Sequence, residues 1–148
     1  MSNSCVEQIL SRGTKYLCLS SELPDYYVAK PNFQKSNQLK YLDIGATNME
    51  RGYFLQLILS CHKLEKLSIR STLCDWSSKD LLEGILKNAS TLKVLDLQEL
   101  AYGLETLKVE QISQIVTHCL NLTEANFGTL ICHDEIFMKN TLSFIWWW

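Results

Sequence analysis

Cysteine and histidine are the residues of this 148-residue chain whose chemistry would suit a metal site or a nucleophile. Each histidine has a cysteine neighbour, in the pairs Cys61-His62, His118-Cys119 and Cys132-His133. Zinc sites usually draw on ligands about two to four residues apart, and no such pair is present. The chain also lacks a phosphate-binding glycine loop, a dinucleotide-binding fingerprint, a nucleophile elbow and a metalloprotease helix motif. We therefore predict no catalytic residues, no metal site, no cofactor and no enzyme activity.

A leucine-rich hexamer of the form L-x-x-L-x-φ, in which φ is apolar, recurs along the chain. Full copies are Leu39–Ile44, Leu64–Ile69 and Leu92–Leu97, and weaker copies are Thr14–Leu19 and Leu122–Phe127. Their central residues are 17, 42, 67, 95 and 125, which gives steps of 25, 25, 28 and 30 residues. This period is typical of leucine-rich repeats, in which each unit supplies a short strand and a helix. The alternation within the hexamer predicts one buried and one outward strand face.

Apolar residues before the strands recur with helical spacing. Three sets follow the i, i+3, i+4, i+7 pattern of an amphipathic helix: Phe54, Leu57, Ile58 and Cys61; Leu82, Ile85, Leu86 and Ala89; and Ile112, Ile115, Val116 and Cys119. We predict helices over about 50–61, from near Ser78 to near Asn88, and over about 108–119. Ser77 or Ser78 is expected to cap the second helix, with Asp80 in its first turn.

Strand and helix patterns together predict an α/β leucine-rich repeat solenoid of about five repeats. Short parallel strands would line its concave face and helices its convex face. Residues 1–38 are interpreted as irregular N-terminal repeats, with a short helix that stops at Gly13. Residues 39–130 are the regular repeats, and residues 131–148 are a final helix and a tryptophan-rich tail. Trp146–Trp148 is not a polar cap, so the solenoid is expected to be truncated at the C-terminus.

Bulk properties favour an intracellular protein, located in the cytoplasm or nucleus. The net charge of −2 gives no attraction to nucleic acid or to a membrane surface. No signal peptide or membrane-spanning run is visible. The six cysteines are expected to be reduced, because Cys61 and Cys119 occupy a core-facing position shared by small residues.

Outward strand residues form the candidate partner-binding face. They are Tyr16, Tyr41, Asp43, Lys66, Ser68, Arg70, Asp96, Gln98, Glu124 and Asn126. Extended faces of this kind serve as binding surfaces in solenoids, and aromatic and arginine side chains dominate interface energetics. For each single residue, a solvated position without a partner is the alternative.

The repeats resemble the cysteine-containing leucine-rich repeats of F-box proteins, the substrate receptors of SCF-type ubiquitin ligases. That family's pattern, C-x-x-L-x-x-L-x-L, appears at Cys61–Ile69 and, with Ala125 and Phe127 at its last two apolar positions, at Cys119–Phe127. The resemblance covers residues 39–130 well. The family's second cysteine is absent, and its place is taken by Thr47, Thr72, Leu100 and Leu130. No F-box is visible, so contact with the ligase adaptor would require an F-box elsewhere in the full protein.

The resemblance implies a protein-interaction module that forms part of a ligase's substrate-recognition subunit. Its partner would be a protein that the ligase ubiquitinates and directs to degradation. The alternative is a non-catalytic truncated or regulatory repeat fragment or isoform that acts as a competitor or scaffold. Such a fragment would self-associate through its exposed solenoid end, because bare apolar surface favours association.

Overall fold

The leucine-rich hexamers form strands that pair in chain order. The computed structural model describes residues 12–20, 38–45, 51–70, 77–97 and 107–127. These ranges contain β1 (Tyr16–Ser20), β2 (Tyr41–Gly45), α1 (Arg51–Ser60), β3 (Lys66–Arg70), α2 (Ser78–Lys87), β4 (Val94–Asp96), α3 (Val109–His118) and β5 (Glu124–Asn126). The strands form one parallel sheet in the order β1-β2-β3-β4-β5. The protein is therefore α/β with a five-stranded parallel sheet, and each predicted element that falls within the described ranges lies within two residues of its predicted position.

The same backbone junction recurs between every pair of neighbouring strands. At each one, a carbonyl oxygen just before a strand accepts two N–H groups from the next unit. The carbonyl of Lys15 accepts from Lys40 (2.9 Å) and Tyr41 (3.0 Å), and that of Lys40 accepts from Glu65 (2.7 Å) and Lys66 (3.0 Å). The carbonyl of Glu65 accepts from Lys93 (2.8 Å) and Val94 (3.0 Å), and that of Lys93 accepts from Thr123 (2.8 Å) and Glu124 (3.1 Å). The units are thus joined by equivalent hydrogen bonds.

Leucine and isoleucine from strands and helices form one core. The strands contribute Leu17, Leu19, Leu42, Ile44, Leu67, Ile69 and Leu95, Leu97 follows directly after β4, and the helix contribution includes Leu57, Ile58, Leu81, Ile85, Ile112 and Ile115. Because successive strand residues point to opposite faces, the helices of the described ranges share a core with one face of the sheet. The predicted inward and outward alternation of the hexamers is confirmed.

Ser77 caps α2, as one of the two predicted candidates. Its hydroxyl accepts the N–H of Asp80 at 3.2 Å, and the carboxylate of Asp80 accepts the N–H of Ser77 at 3.4 Å. In α3 the side chain of Gln111 accepts the N–H of Lys108 at 2.8 Å. At both helices these hydrogen bonds satisfy backbone donors that a helix N-terminus leaves unpaired.

The predicted buried stripe of α2 was only partly correct: Ile85 is buried, but its other three members are not. Leu82, Leu86 and Ala89 are half-buried, whereas the helix buries Leu81 and Gly84 beside Ile85. Helix α2 packs between α1 and α3. The buried stripe is rotated because Gly84, which has no side chain, is the residue that faces Ile58 of α1. The stripe of α3 was predicted correctly, since Ile112, Ile115 and Cys119 are buried.

Cys61 and Cys119 are buried at helix ends, as predicted for the small-residue position. The thiol of Cys61 donates to the carbonyl of Leu57 at 3.2 Å, and burial raises the pKa of Cys119 to about 11. Cys18 is exposed on β1. Gly13 has a φ of 74°, which suits the predicted helix stop.

Several predictions lie outside the described residues. They concern the irregular segment between β1 and β2, the N-terminal helix, the final helix and the tryptophan-rich tail, together with Cys5, Cys74 and Cys132. Within the described ranges, no helix combines the length and the apolar character that crossing a membrane requires.

Candidate binding face

The sheet face opposite the described helices carries eight of the ten candidate residues in two rows. The first row contains Tyr16, Tyr41, Lys66, Val94 and Glu124, which are paired in register on successive strands. The second row contains Cys18, Asp43, Ser68, Asp96 and Asn126. Since neighbouring strands lie about 4.8 Å apart, each row is about 19 Å long. The register therefore joins side chains that are 25 to 30 residues apart in sequence.

Two tyrosines form a flat aromatic surface at one end of the first row. The rings of Tyr16 and Tyr41 stack with their centroids 4.4 Å apart and their planes 10° from parallel. Tyr16 remains 64% exposed, so one ring face is open to a partner. The residues were predicted as binding candidates from their types. Their stacking depends on the β1–β2 register. The repeat pattern is too weak in β1 to specify that register.

Asp43 and Arg70 form an ion pair between β2 and β3. Nη2 of Arg70 donates to Oδ2 of Asp43 at 2.8 Å, whereas Oδ1 of Asp43 is buried and has no hydrogen-bond partner. The arginine is the more exposed member of the pair. The contact holds the guanidinium against the sheet, so a partner would meet an oriented arginine with its remaining N–H groups available.

A charged triad at the start of the strands was not predicted. Nζ of Lys40 lies 2.5 Å from Oε1 of Glu65, and Nζ of Lys93 lies 2.9 Å from Oε2 of the same carboxylate. Hydrogen bonds from Lys40 and then Lys93 lower the pKa of Glu65 to about 2. The hydrogen bond and charge of Glu65 raise the pKa of Lys40. The sequence signal that could have predicted the triad is the second position of the three full hexamers, where lysine, glutamate and lysine occur in turn.

The remaining candidates differ in how accessible they are. Lys66, Glu124 and Asn126 are exposed, and Asp96 is half-buried. Ser68 is only 2% exposed, so its prediction as a surface contact was wrong. Its short side chain lies on the central strand, in register between Asp43 and Asp96, which have longer side chains. Gln98 lies outside the described residues.

The described histidines lie at helix ends. His62 and His118 are exposed, and Nδ1 of His118 is 2.8 Å from the carbonyl of Gln114. A carbonyl oxygen only accepts, so this contact is a hydrogen bond in the tautomer that carries the proton on Nδ1. Among the described residues, no group of three or more His, Cys, Asp or Glu side chains is placed to hold a metal ion.

No family model, curated protein or solved structure matches this chain.

Proposed function

We propose that the chain is a leucine-rich repeat solenoid that binds a protein partner through the sheet face opposite its helices. In this proposal it is part of the substrate-recognition subunit of an SCF-type ubiquitin ligase. The observation that carries the solenoid is the equivalent carbonyl junction at Lys15, Lys40, Glu65 and Lys93. Equivalent contacts between successive units are what a repeat architecture requires, because each unit buries its apolar face only against its neighbours.

The binding role is supported by what the face presents. The stacked Tyr16 and Tyr41 offer exposed aromatic area, and Arg70 is held in place by Asp43. Tyrosine and arginine are enriched among the residues that contribute most to protein interfaces. A sheet fixed by a core of leucine and isoleucine holds such residues in position, which lowers the entropy lost on binding.

The ligase role is supported by the resemblance of the repeats to those of F-box proteins. Cys61 and Cys119 occupy the cysteine position of the family pattern, and both are buried where a helix ends. The amide of Cys61 donates to the carbonyl of Ile58 at 3.2 Å, and that of Cys119 donates to the carbonyl of Ile115 at 2.8 Å. A small apolar residue at this position lets the chain turn from helix to strand. The partner is held while other subunits transfer ubiquitin.

Affinity capture from cell extract tests the binding role. The bait is the intact chain, and a face variant, Lys66→Glu with Arg70→Glu, is compared with it. A control variant, Lys79→Glu with Lys87→Glu, makes the same charge change at exposed positions of α2. We expect a partner that is retained by the intact chain and the control and is lost from the face variant. If every specific partner is retained by the face variant, this face is not the binding surface.

The ligase role has its own test. When production of the protein is suppressed in cells, the captured partner should accumulate and its ubiquitin conjugates should decrease. An unchanged half-life of the partner would reject the ligase role and leave the binding role in place.

A further inference from the structure

We infer that the first row recognises an extended peptide segment of the partner protein that crosses the strands. The segment would carry, in order along the row, an apolar side chain against the tyrosines, a carboxylate at Lys66 and a lysine or arginine at Glu124. This inference specifies the partner's chemistry and rests on the proposed binding role.

Most of the charged residues on the strands interact with other groups of the protein. Five charged residues lie on the strands: Asp43, Lys66, Arg70, Asp96 and Glu124. Asp43 and Arg70 neutralise each other, and Asp96 also has an interaction within the protein. Lys66 and Glu124 are exposed, and neither has a hydrogen bond or ion pair from its side chain within the described residues. The two unpaired charges on the strands therefore have opposite signs and belong to the same row.

The strand register sets the distance between Lys66 and Glu124. Lys66 and Glu124 lie on either side of Val94, which separates them by two strand spacings, or about 10 Å. An extended peptide rises about 3.3 Å per residue, so an acidic and a basic residue about two to four positions apart would reach both charges. Val94 is half-buried between them and offers an apolar contact. A peptide with this charge order is complementary to the row.

The tyrosines define which end of the peptide meets which charge. Tyr41 is the register neighbour of Lys66, so the aromatic surface lies beside the positive charge and at the far end from the negative one. An apolar side chain on the aromatic surface would supply affinity. Exposed ion pairs add little affinity. A peptide with its charges in the wrong order would bring like charges together, and this repulsion opposes binding. The row thus selects apolar, acidic, then basic residues.

A random dodecapeptide display library is the probe for this inference. The full chain is compared with the variant Lys66→Glu with Glu124→Lys, which reverses both charges and keeps the net charge. The matched control is Lys79→Glu with Glu83→Lys on the exposed side of α2. Circular dichroism confirms that each variant is folded.

We expect the intact chain and the control to enrich peptides with an apolar, an acidic and a basic residue in that order. The reversed variant should enrich apolar, basic, then acidic residues. A synthetic consensus peptide should bind the reversed variant about tenfold more weakly than the intact chain, because both ion pairs become like-charge contacts.

Two results would overturn the inference. One is that the reversed variant enriches the same peptides as the intact chain, and the other is that no peptide is enriched by either. Neither result tests the binding role, which the capture experiment tests separately. Loss of a partner from the face variant in that experiment would still support the binding role. Retention of every partner there would reject the binding role itself.

Discussion

Gly84 of α2 and Ile58 of α1 meet with no room for a methyl group between them. A Cβ at position 84 would lie 2.7 Å from Cδ1 and Cγ2 of Ile58 and 2.9 Å from its Cγ1. Ile58 is fully buried. This contact sets how closely the two helices approach.

Replacement of Gly84 by alanine is expected to destabilise the protein. Alanine gains about 1 kcal/mol in helix propensity, but overpacking of a core costs about 1–3 kcal/mol. We expect a net loss of about 1 kcal/mol in the free energy of unfolding, measured by urea denaturation. In an Ile58→Ala background the same substitution should cost less, because the clashing atoms are gone. Greater stability of the single variant would contradict the close approach.

Asn88 joins α2 to the preceding unit, and its loss should be costly. It is 1% exposed, its Oδ1 accepts the N–H of Leu64 at 3.1 Å, and its Nδ2 donates to the carbonyl of Gly84 at 3.1 Å. Asn88→Ala leaves buried backbone groups unpaired, which costs about 1–3 kcal/mol. The control is Asn121→Ala, which removes an exposed hydrogen bond to the carbonyl of Ser90. Equal losses in the two variants would argue against a special role for Asn88.

The triad around Glu65 predicts a loss of stability in acid. The folded-state pKa of Glu65 is lowered from 4.5 to about 2, so its contribution is present above pH 4.5 and is lost as the pH falls towards 2. Glu65→Gln should reduce the pH dependence of the free energy of unfolding in this window. Glu83→Gln, on the exposed side of α2, should leave that dependence intact. An unchanged acid transition in Glu65→Gln would show that the triad does not contribute.

The thiols should react with alkylating agents in an order set by burial. Cys18 is exposed, whereas Cys61 and Cys119 are buried and the pKa of Cys119 is raised to about 11. At pH 8 we expect Cys18 to be alkylated before Cys61 and Cys119, because the thiolate is the reactive form and needs access. Site-resolved mass spectrometry measures the order, and in urea the difference between the three sites should disappear. Faster native labelling of Cys61 or Cys119 would contradict their burial.

The strand positions were predictable because the hexamer combines two signals. Leu64, Leu67 and Ile69 are apolar, alternate in the strand, and recur at a fixed distance from a helical stripe. The stripe of α2 was less predictable, because a glycine buried by a close helix contact has no hydrophobic signature. Leu82 and Leu86 fitted the pattern by composition but lie at the edge of the core.

The candidate face was predictable in its membership and less so in its contacts. The outward position of Tyr16, Lys66 and Glu124 follows from alternation alone. The burial of Ser68 does not, because alternation places a residue on a face and does not determine how far its neighbours enclose it. Which charges neutralise each other depends on side-chain conformations across strands, so neither the Asp43–Arg70 pair nor the triad at Glu65 was anticipated.

The recurring carbonyl junction makes the array extensible. Lys15, Lys40, Glu65 and Lys93 present the same doubly accepting oxygen to whatever unit comes next. A duplicated unit inserted at any of these boundaries would find donors and acceptors already in place on both sides. Each such insertion would widen the exposed sheet by one strand spacing, about 4.8 Å. The size of the face is therefore adjustable in discrete increments, and the hydrogen-bonding scheme that holds it together stays the same at every length.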